Sequence, residues 1–134
     1  MAIKLWNLST FTVQKTLTGH EHEVSGLAWI PSHADFLLSC SREPSIRVWD
    51  TLSGACLQTL AQGHTDWVKR VAVSGSGALF ASASSDDSII VWNTEQVLAN
   101  RANPQQAIQV TLDEHEHQID AISWAPDAAA RTIE

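Results

Sequence analysis

The sequence has no tyrosine, two cysteines, and eight Lys plus Arg against fifteen Asp plus Glu, for a formal net charge of −7. So few positive charges argue against nucleic acid or an anionic membrane as the main partner, since both reward clustered Lys and Arg. Cys40 and Cys56 share no metal-ligand spacing, and reduced, buried thiols are the plain reading. No apolar run approaches the roughly 18 residues of a spanning helix, and residues 1–10 lack the apolar stretch of a signal peptide. The expectation is a soluble, intracellular chain. What is present in excess is tryptophan, with six residues in a chain that is 44% hydrophobic and 17% charged, a balance suited to a buried core.

Three segments align without gaps: Ala2-Ile3-Lys4-Leu5-Trp6-Asn7, Ser45-Ile46-Arg47-Val48-Trp49-Asp50 and Ser88-Ile89-Ile90-Val91-Trp92-Asn93. Their tryptophans fall 43 residues apart. Gly19-His20 and Gly63-His64 precede the last two at a 44-residue offset, and Glu114-His115 echoes them after a longer step of 51 residues. Between these marks the pattern predicts strands at 2–6, 12–17, 23–29, 36–40, 45–49, 55–60, 67–73, 79–83, 88–92, 106–112 and 118–124. Only 95–102, inside the longer step, reads as helical. Four short strands per period, with Gly-His early and Trp-Asp late, predict an all-β fold, a WD-repeat β-propeller fragment. It divides into the last two strands of one blade (1–18), a full four-stranded repeat (19–62), a second with an insertion near 95–106 (63–114), and the start of another (115–134). Such an open array exposes strand edges, so aggregation or marginal stability is expected of the chain alone.

The His, Ser, acidic and Trp positions resemble the structural tetrads of WD-repeat proteins. They are His20, Ser39, Glu43 and Trp49 in the first repeat, and His64, Ser82, Asp86 and Trp92 in the second. The chemistry is a buried relay: a carboxylate orients the imidazole, a hydroxyl bridges, and the indole N–H is satisfied at the far end. Glu43, longer than Asp and followed by Pro44, implies either a strained turn or an incomplete tetrad. A Ser–His–acid triad is the competing reading, but a triad occurs once in a cleft, whereas this set recurs and ends on Trp, so no catalytic residue is expected. His20-Glu21-His22 and His115-Glu116-His117 could begin a metal site, yet the first His of each is already used and no third ligand is placed, so neither metal nor cofactor is expected. Trp6, Trp49 and Trp92 are expected in the core, with Trp29 and Trp124 also structural.

Trp67 sits in the turn entering an innermost strand, where Glu23 and Gln118 hold the equivalent places. It reads either as an interface anchor on the top face or as core. Arg42 reaches the same face, with Lys15, Glu23 and Lys69 as expected neighbours; for Arg42 the alternative is a solvated turn residue.

Several stretches resemble one family more closely: Gly19-His20-Glu21-His22-Glu23-Val24, Ser39-Cys40-Ser41-Arg42, Gly63-His64-Thr65-Asp66-Trp67-Val68-Lys69, and Glu114-His115-Glu116-His117 with Ile122-Ser123-Trp124-Ala125-Pro126-Asp127. Together they are similar to the lissencephaly-type proteins, known in fungi as nuclear distribution proteins. The resemblance implies a seven-bladed propeller that binds the cytoplasmic dynein heavy chain and its adaptors, acting in microtubule-based transport and nuclear positioning. It implies a cytoplasmic, cytoskeleton-associated location, and for animal members a non-catalytic subunit of a platelet-activating-factor acetylhydrolase. It carries motor contact to Arg42 and Lys15, and less directly to Trp67. A generic scaffold of a ubiquitin-ligase or RNA-processing assembly is the alternative. No membrane, nucleic-acid or small-molecule partner is expected.

Overall fold

The computed structural model describes residues 1–99, 104–113 and 122–125. β1 (Ala2–Asn7) and β2 (Thr12–Thr18) form a two-stranded antiparallel sheet. β3 (Val24–Ile30), β4 (His33–Ser41), β5 (Ser45–Asp50) and β6 (Ala55–Leu60) form a four-stranded sheet in sequence order. β7 (Val68–Val73), β8 (Leu79–Ser84), β9 (Ile89–Asn93) and β10 (Ile108–Leu112) repeat it. Within each sheet every strand pairs antiparallel with the next, so the connections collect at two ends. One end carries the turns from β2 to β3, β4 to β5, β6 to β7 and β8 to β9, and is called here the histidine end. These are consecutive blades of a partial β-propeller.

Burial follows position within the blade. Every residue of β8 from Phe80 to Ser84 is buried, and in β5 all residues but Arg47 and Asp50 are, both strands having neighbours on both edges. The outer strand β6 alternates more, as expected where one face meets solvent. One core cluster joins the blades, with Leu38, Cys40, Ile46 and Val48 from one and Val68, Phe80, Ile90 and Trp92 from the other. Phe80 and Trp92 stack within it at 6.0 Å. A smaller cluster of Ile3, Leu17, Leu37 and Trp49 seats the two-stranded sheet. Polar ties reinforce the seam between blades: Ser25 Oγ donates to the Val68 carbonyl at 2.5 Å, and Arg70 donates to the Ser25 carbonyl at 3.2 Å. At the opposite end Gly77 (φ 80°) lies so close to Ser32 that a β-carbon would fall 2.4 Å from its hydroxyl, which leaves no room for a side chain.

The longer step between repeats becomes a helix, α1 (Thr94–Ala99), and a 3-10 turn (Pro104–Ala107) ahead of β10. Asn93 caps α1 by accepting the Gln96 N–H at 3.0 Å. The insertion reaches back to the preceding blade: Gln58 of β6 donates to the Val97 carbonyl, and Gln105 to the Gln62 carbonyl. The 3-10 turn takes the first residues expected in the outer strand, which therefore starts at Ile108.

Two tryptophans differ from expectation. Trp6 is 56% exposed and Trp29 52%, whereas Trp49 and Trp92 are each 1% exposed. The reason is local: β1 has no strand on its second edge and β3 no sheet over its outer face among the described residues. The expected strand at 118–124 falls largely outside the described residues, as do His115 and His117; Trp124 is described and donates to the Ala72 carbonyl at 2.8 Å.

Val97 is 1% exposed and joins α1 to the inter-blade core. Val97→Ala removes about two methylenes and leaves a void, so it is expected to lower unfolding free energy by about 2 kcal/mol in urea titration. A change under about 0.5 kcal/mol would show that α1 is an appendage rather than a strap.

Candidate functional site

In each blade a histidine from the turn before the innermost strand meets a serine on the second strand and a tryptophan on the third. In the second repeat Trp92 Nε1 donates to Ser82 Oγ at 2.9 Å, His64 Nε2 lies 2.7 Å from the same oxygen, and His64 Nδ1 lies 3.0 Å from Asp86 Oδ2. In the first, Trp49 Nε1 donates to Ser39 Oγ at 2.8 Å, His20 Nε2 lies 2.5 Å from it, and His20 Nδ1 contacts Glu43 Oε1. Both serines are completely buried and both histidines are about 5% exposed or less. Each serine oxygen accepts the indole N–H, so its own hydroxyl proton is directed to histidine Nε2. Nε2 is then an acceptor, which leaves Nδ1–H to donate to the carboxylate. The relay fixes a neutral imidazole in one tautomer.

The carboxylates also bind the turns that carry the histidines. Asp86 accepts the Thr65 N–H at 3.0 Å, and Glu43 the Glu21 N–H at 2.6 Å. The network of the first repeat is thus complete, with Glu43 also accepting from Ser45 at 3.0 Å and lying 3.9 Å from Arg47 Nε. The cost of its sequence departure appears in the backbone. The following residue takes positive φ in both repeats, 67° at Asp87 and 20° at Pro44, and a proline ring favours about −65°.

Two further serine pairs serve the same turns, Ser41 with Ser84 and Ser45 with Ser88. Ser41 Oγ donates to the Glu23 carbonyl at 2.9 Å and Ser84 Oγ to the Asp66 carbonyl at 3.0 Å. Ser45 and Ser88 donate to the acid of their own repeat. Their 43-residue recurrence, the same as that of the tryptophans, is the signal that could have found them.

These bonds fix the surface of the histidine end. Arg42 N–H donates to the Glu23 carbonyl at 3.3 Å, and Ser85 N–H to the Trp67 carbonyl at 2.8 Å. Arg42, from the turn of the first blade, places its guanidinium carbon 5.7 Å from the centre of the Trp67 ring in the second. Lys69 Nζ approaches the same ring at 5.5 Å. Trp67 is half-buried, and its indole nitrogen is buried with no hydrogen-bond partner among the described residues. Arg42 and Glu23 are exposed. Lys15 is not part of this group. It lies mid-strand on β2 with its side chain against Gly54, in the β5–β6 turn at the other end of the blade. Three residues separate it from the end of β2, roughly 10 Å at 3.3 Å each, which explains why proximity to Gly-His in sequence misplaced it.

No group of three or more His, Cys, Asp or Glu residues among those described could hold a metal ion, and no described helix is long and apolar enough to cross a membrane.

The family described as "WD domain, G-beta repeat" matches residues 11–50 and 54–93, more than half of the chain. The chain is also similar to curated proteins. Nuclear distribution protein PAC1 of Arthroderma benhamiae is 34% identical over 137 residues, covering 96% of this chain and 28% of that protein. Nuclear distribution protein nudF 1 of Talaromyces marneffei is 35% identical over 130 residues, covering 96% and 27%. Nuclear distribution protein nudF of Emericella nidulans is 31% identical over 115 residues, covering 86% and 24%. The chain spans about a quarter of the length of these relatives.

The network makes stability depend on pH. Burial lowers the pKa of His20 and of His64 below the usual 6.5, against the opposing pull of their carboxylates. Burial would raise Glu43 and Asp86, but hydrogen bonds outweigh it and hold both below their usual 4.5 and 3.8: for Glu43 from Glu21 N–H, His20 and Ser45, for Asp86 from Ser88, Thr65 N–H and His64. All four values are depressed on folding, so each contribution is present above the unfolded value and lost as pH falls through the folded one. The urea midpoint is therefore expected to hold steady between about pH 7 and 8, to decline below 6.5 as the unfolded histidines charge, and to fall further below 4.5. A midpoint unchanged between pH 7 and 4 would show that the networks are not closed in solution.

Proposed function

Because this chain belongs to the WD domain, G-beta repeat family, we propose that it is a non-catalytic protein-interaction module that binds a protein through its histidine end. One observation carries this reading: the half-buried Trp67 ring lies against both Arg42 and Lys69, cations from two different blades. Such a ring offers rigid apolar area, while two cations on a chain of net charge −7 favour an acidic partner surface. The Ser–His–acid sets support binding over catalysis. Their serines are fully buried and each hydroxyl oxygen is occupied by an indole N–H, so no nucleophile faces a substrate.

The relatives are called nuclear distribution proteins, and the Gly-His-Thr-Asp-Trp and Ser-Arg motifs resemble those of the lissencephaly-type group. We therefore read the partner as the motor domain of cytoplasmic dynein, and the role as cytoplasmic regulation of microtubule-based transport and nuclear positioning. Arg42, Trp67, Lys69 and Glu23 make up the proposed contact, and Lys15 is left out of it.

Binding of a purified dynein motor domain by calorimetry tests this reading. Arg42→Glu and Trp67→Ala should each weaken binding by about 1–3 kcal/mol, roughly 5- to 150-fold, with unchanged circular dichroism. Lys15→Glu should leave affinity unaltered. Full affinity in both the Arg42 and Trp67 variants would remove this face from the interaction.

A further inference from the structure

The residue that follows each Gly-His or Glu-His histidine is Glu21 in the first repeat, Thr65 in the second and Glu116 after His115. Thr65 is thus a hydroxyl in a place where the repeat otherwise sets a carboxylate. The two described turns hold this place alike. The Glu21 N–H donates to Glu43 and the Thr65 N–H to Asp86, and both side chains are exposed. The first turn therefore shows that this frame, with its own carboxylate below, accommodates a second negative charge beside it.

Thr65 has two further properties. Its hydroxyl makes no hydrogen bond among the described residues, so esterifying it breaks no contact of the fold. It also lies in residues 61–67, the seven-residue connection without strand between β6 and β7, where an enzyme can reach the chain. Trp67 stands only two residues on, at most about 7 Å along the chain. Around that ring are the Arg42 guanidinium at 5.7 Å and the Lys69 ammonium at 5.5 Å. A phosphate on Thr65 brings a charge of about −2 and three strong acceptor oxygens to these two cations.

We propose that Thr65 is a phosphorylation site, and that its phosphate closes the histidine end to an acidic partner by drawing Arg42 and Lys69 to itself. The closing effect rests on the binding reading above; the modification does not. The γ-phosphoryl group of ATP passes to Thr65 Oγ1 on a protein kinase. The bond from phosphorus to the ADP oxygen breaks, the bond to Oγ1 forms, and the hydroxyl proton goes to the base of the kinase. Glu21 carries a permanent charge in its turn. The turn beside the stacked cations carries instead a group on which the charge can be added and removed.

Two readouts need no binding partner. In chain recovered from its source cells with phosphatases inhibited, mass spectrometry of the tryptic peptide 48–69 should find phosphate on Thr65. In chain carrying phosphothreonine at 65, phosphorus-31 NMR should place the second ionisation of the phosphate at least about half a pH unit below that of the same phosphate in an isolated 61–69 peptide. Arg42→Ala and Lys69→Ala should each remove part of that difference. Affinity for the motor domain should fall at least about tenfold on phosphorylation. Peptide 48–69 found only without phosphate on Thr65, or an ionisation equal in folded chain and peptide, would overturn the proposal. So would equal motor affinity of the two forms when the unmodified chain binds. If the unmodified chain does not bind, the binding reading fails, and the two partner-free readouts still decide the site.

Discussion

The hydrogen-bond relay from tryptophan through serine and histidine to a carboxylate is the interaction on which the rest of this structure depends. It links four of a blade's parts: the turn before the first strand, the second strand, the turn after it, and the third. Each member would be costly alone in a buried place, since an unpaired buried donor or acceptor loses about 1–3 kcal/mol. Joined, each is satisfied by the next. The carboxylate then spends its remaining capacity on the backbone N–H of Glu21 or Thr65, and so pins the turn that delivers the histidine.

The surface of the histidine end inherits this rigidity. Arg42 sits one residue before Glu43, and Trp67 three residues after His64, so both are carried on turns that the relay and the Ser41 and Ser84 bonds hold in place. A cation–π contact is worth only about 0.5–1 kcal/mol at an exposed site, too little to order two turns from different blades. The buried network orders the turns, and the contact between Arg42 and Trp67 follows from the blade seam. This is why side chains from two blades hold a defined arrangement at the histidine end.

The strands were legible because short apolar runs and turn residues recur at a fixed period, and the four members of each network because the same residue types recur at the same offsets. Burial was less legible, since it depends on neighbours rather than on type. Trp6 repeats the setting of Trp49 in sequence, yet it lies open because no serine-bearing strand lies beside it among the described residues. Lys15 precedes Gly-His closely, but strand geometry carries it away from that turn and toward Gly54. The meeting of Arg42, Trp67 and Lys69 was suggested by their turns, whereas the stacking of cations on the ring depends on how two blades pack. Ser41 and Ser84 carry little signal singly, because serine in a turn is common and only its recurrence distinguishes it.

The relay makes a direct statement about two protons. At pH 7, nitrogen-15 NMR of the imidazole rings, assigned with His20→Gln and His64→Gln variants, should find both histidines neutral and protonated on Nδ1, with Nε2 bare. An imidazolium at either site, or a proton on Nε2, would contradict the account, because the serine would then have no acceptor in the ring and the order of the relay would fail.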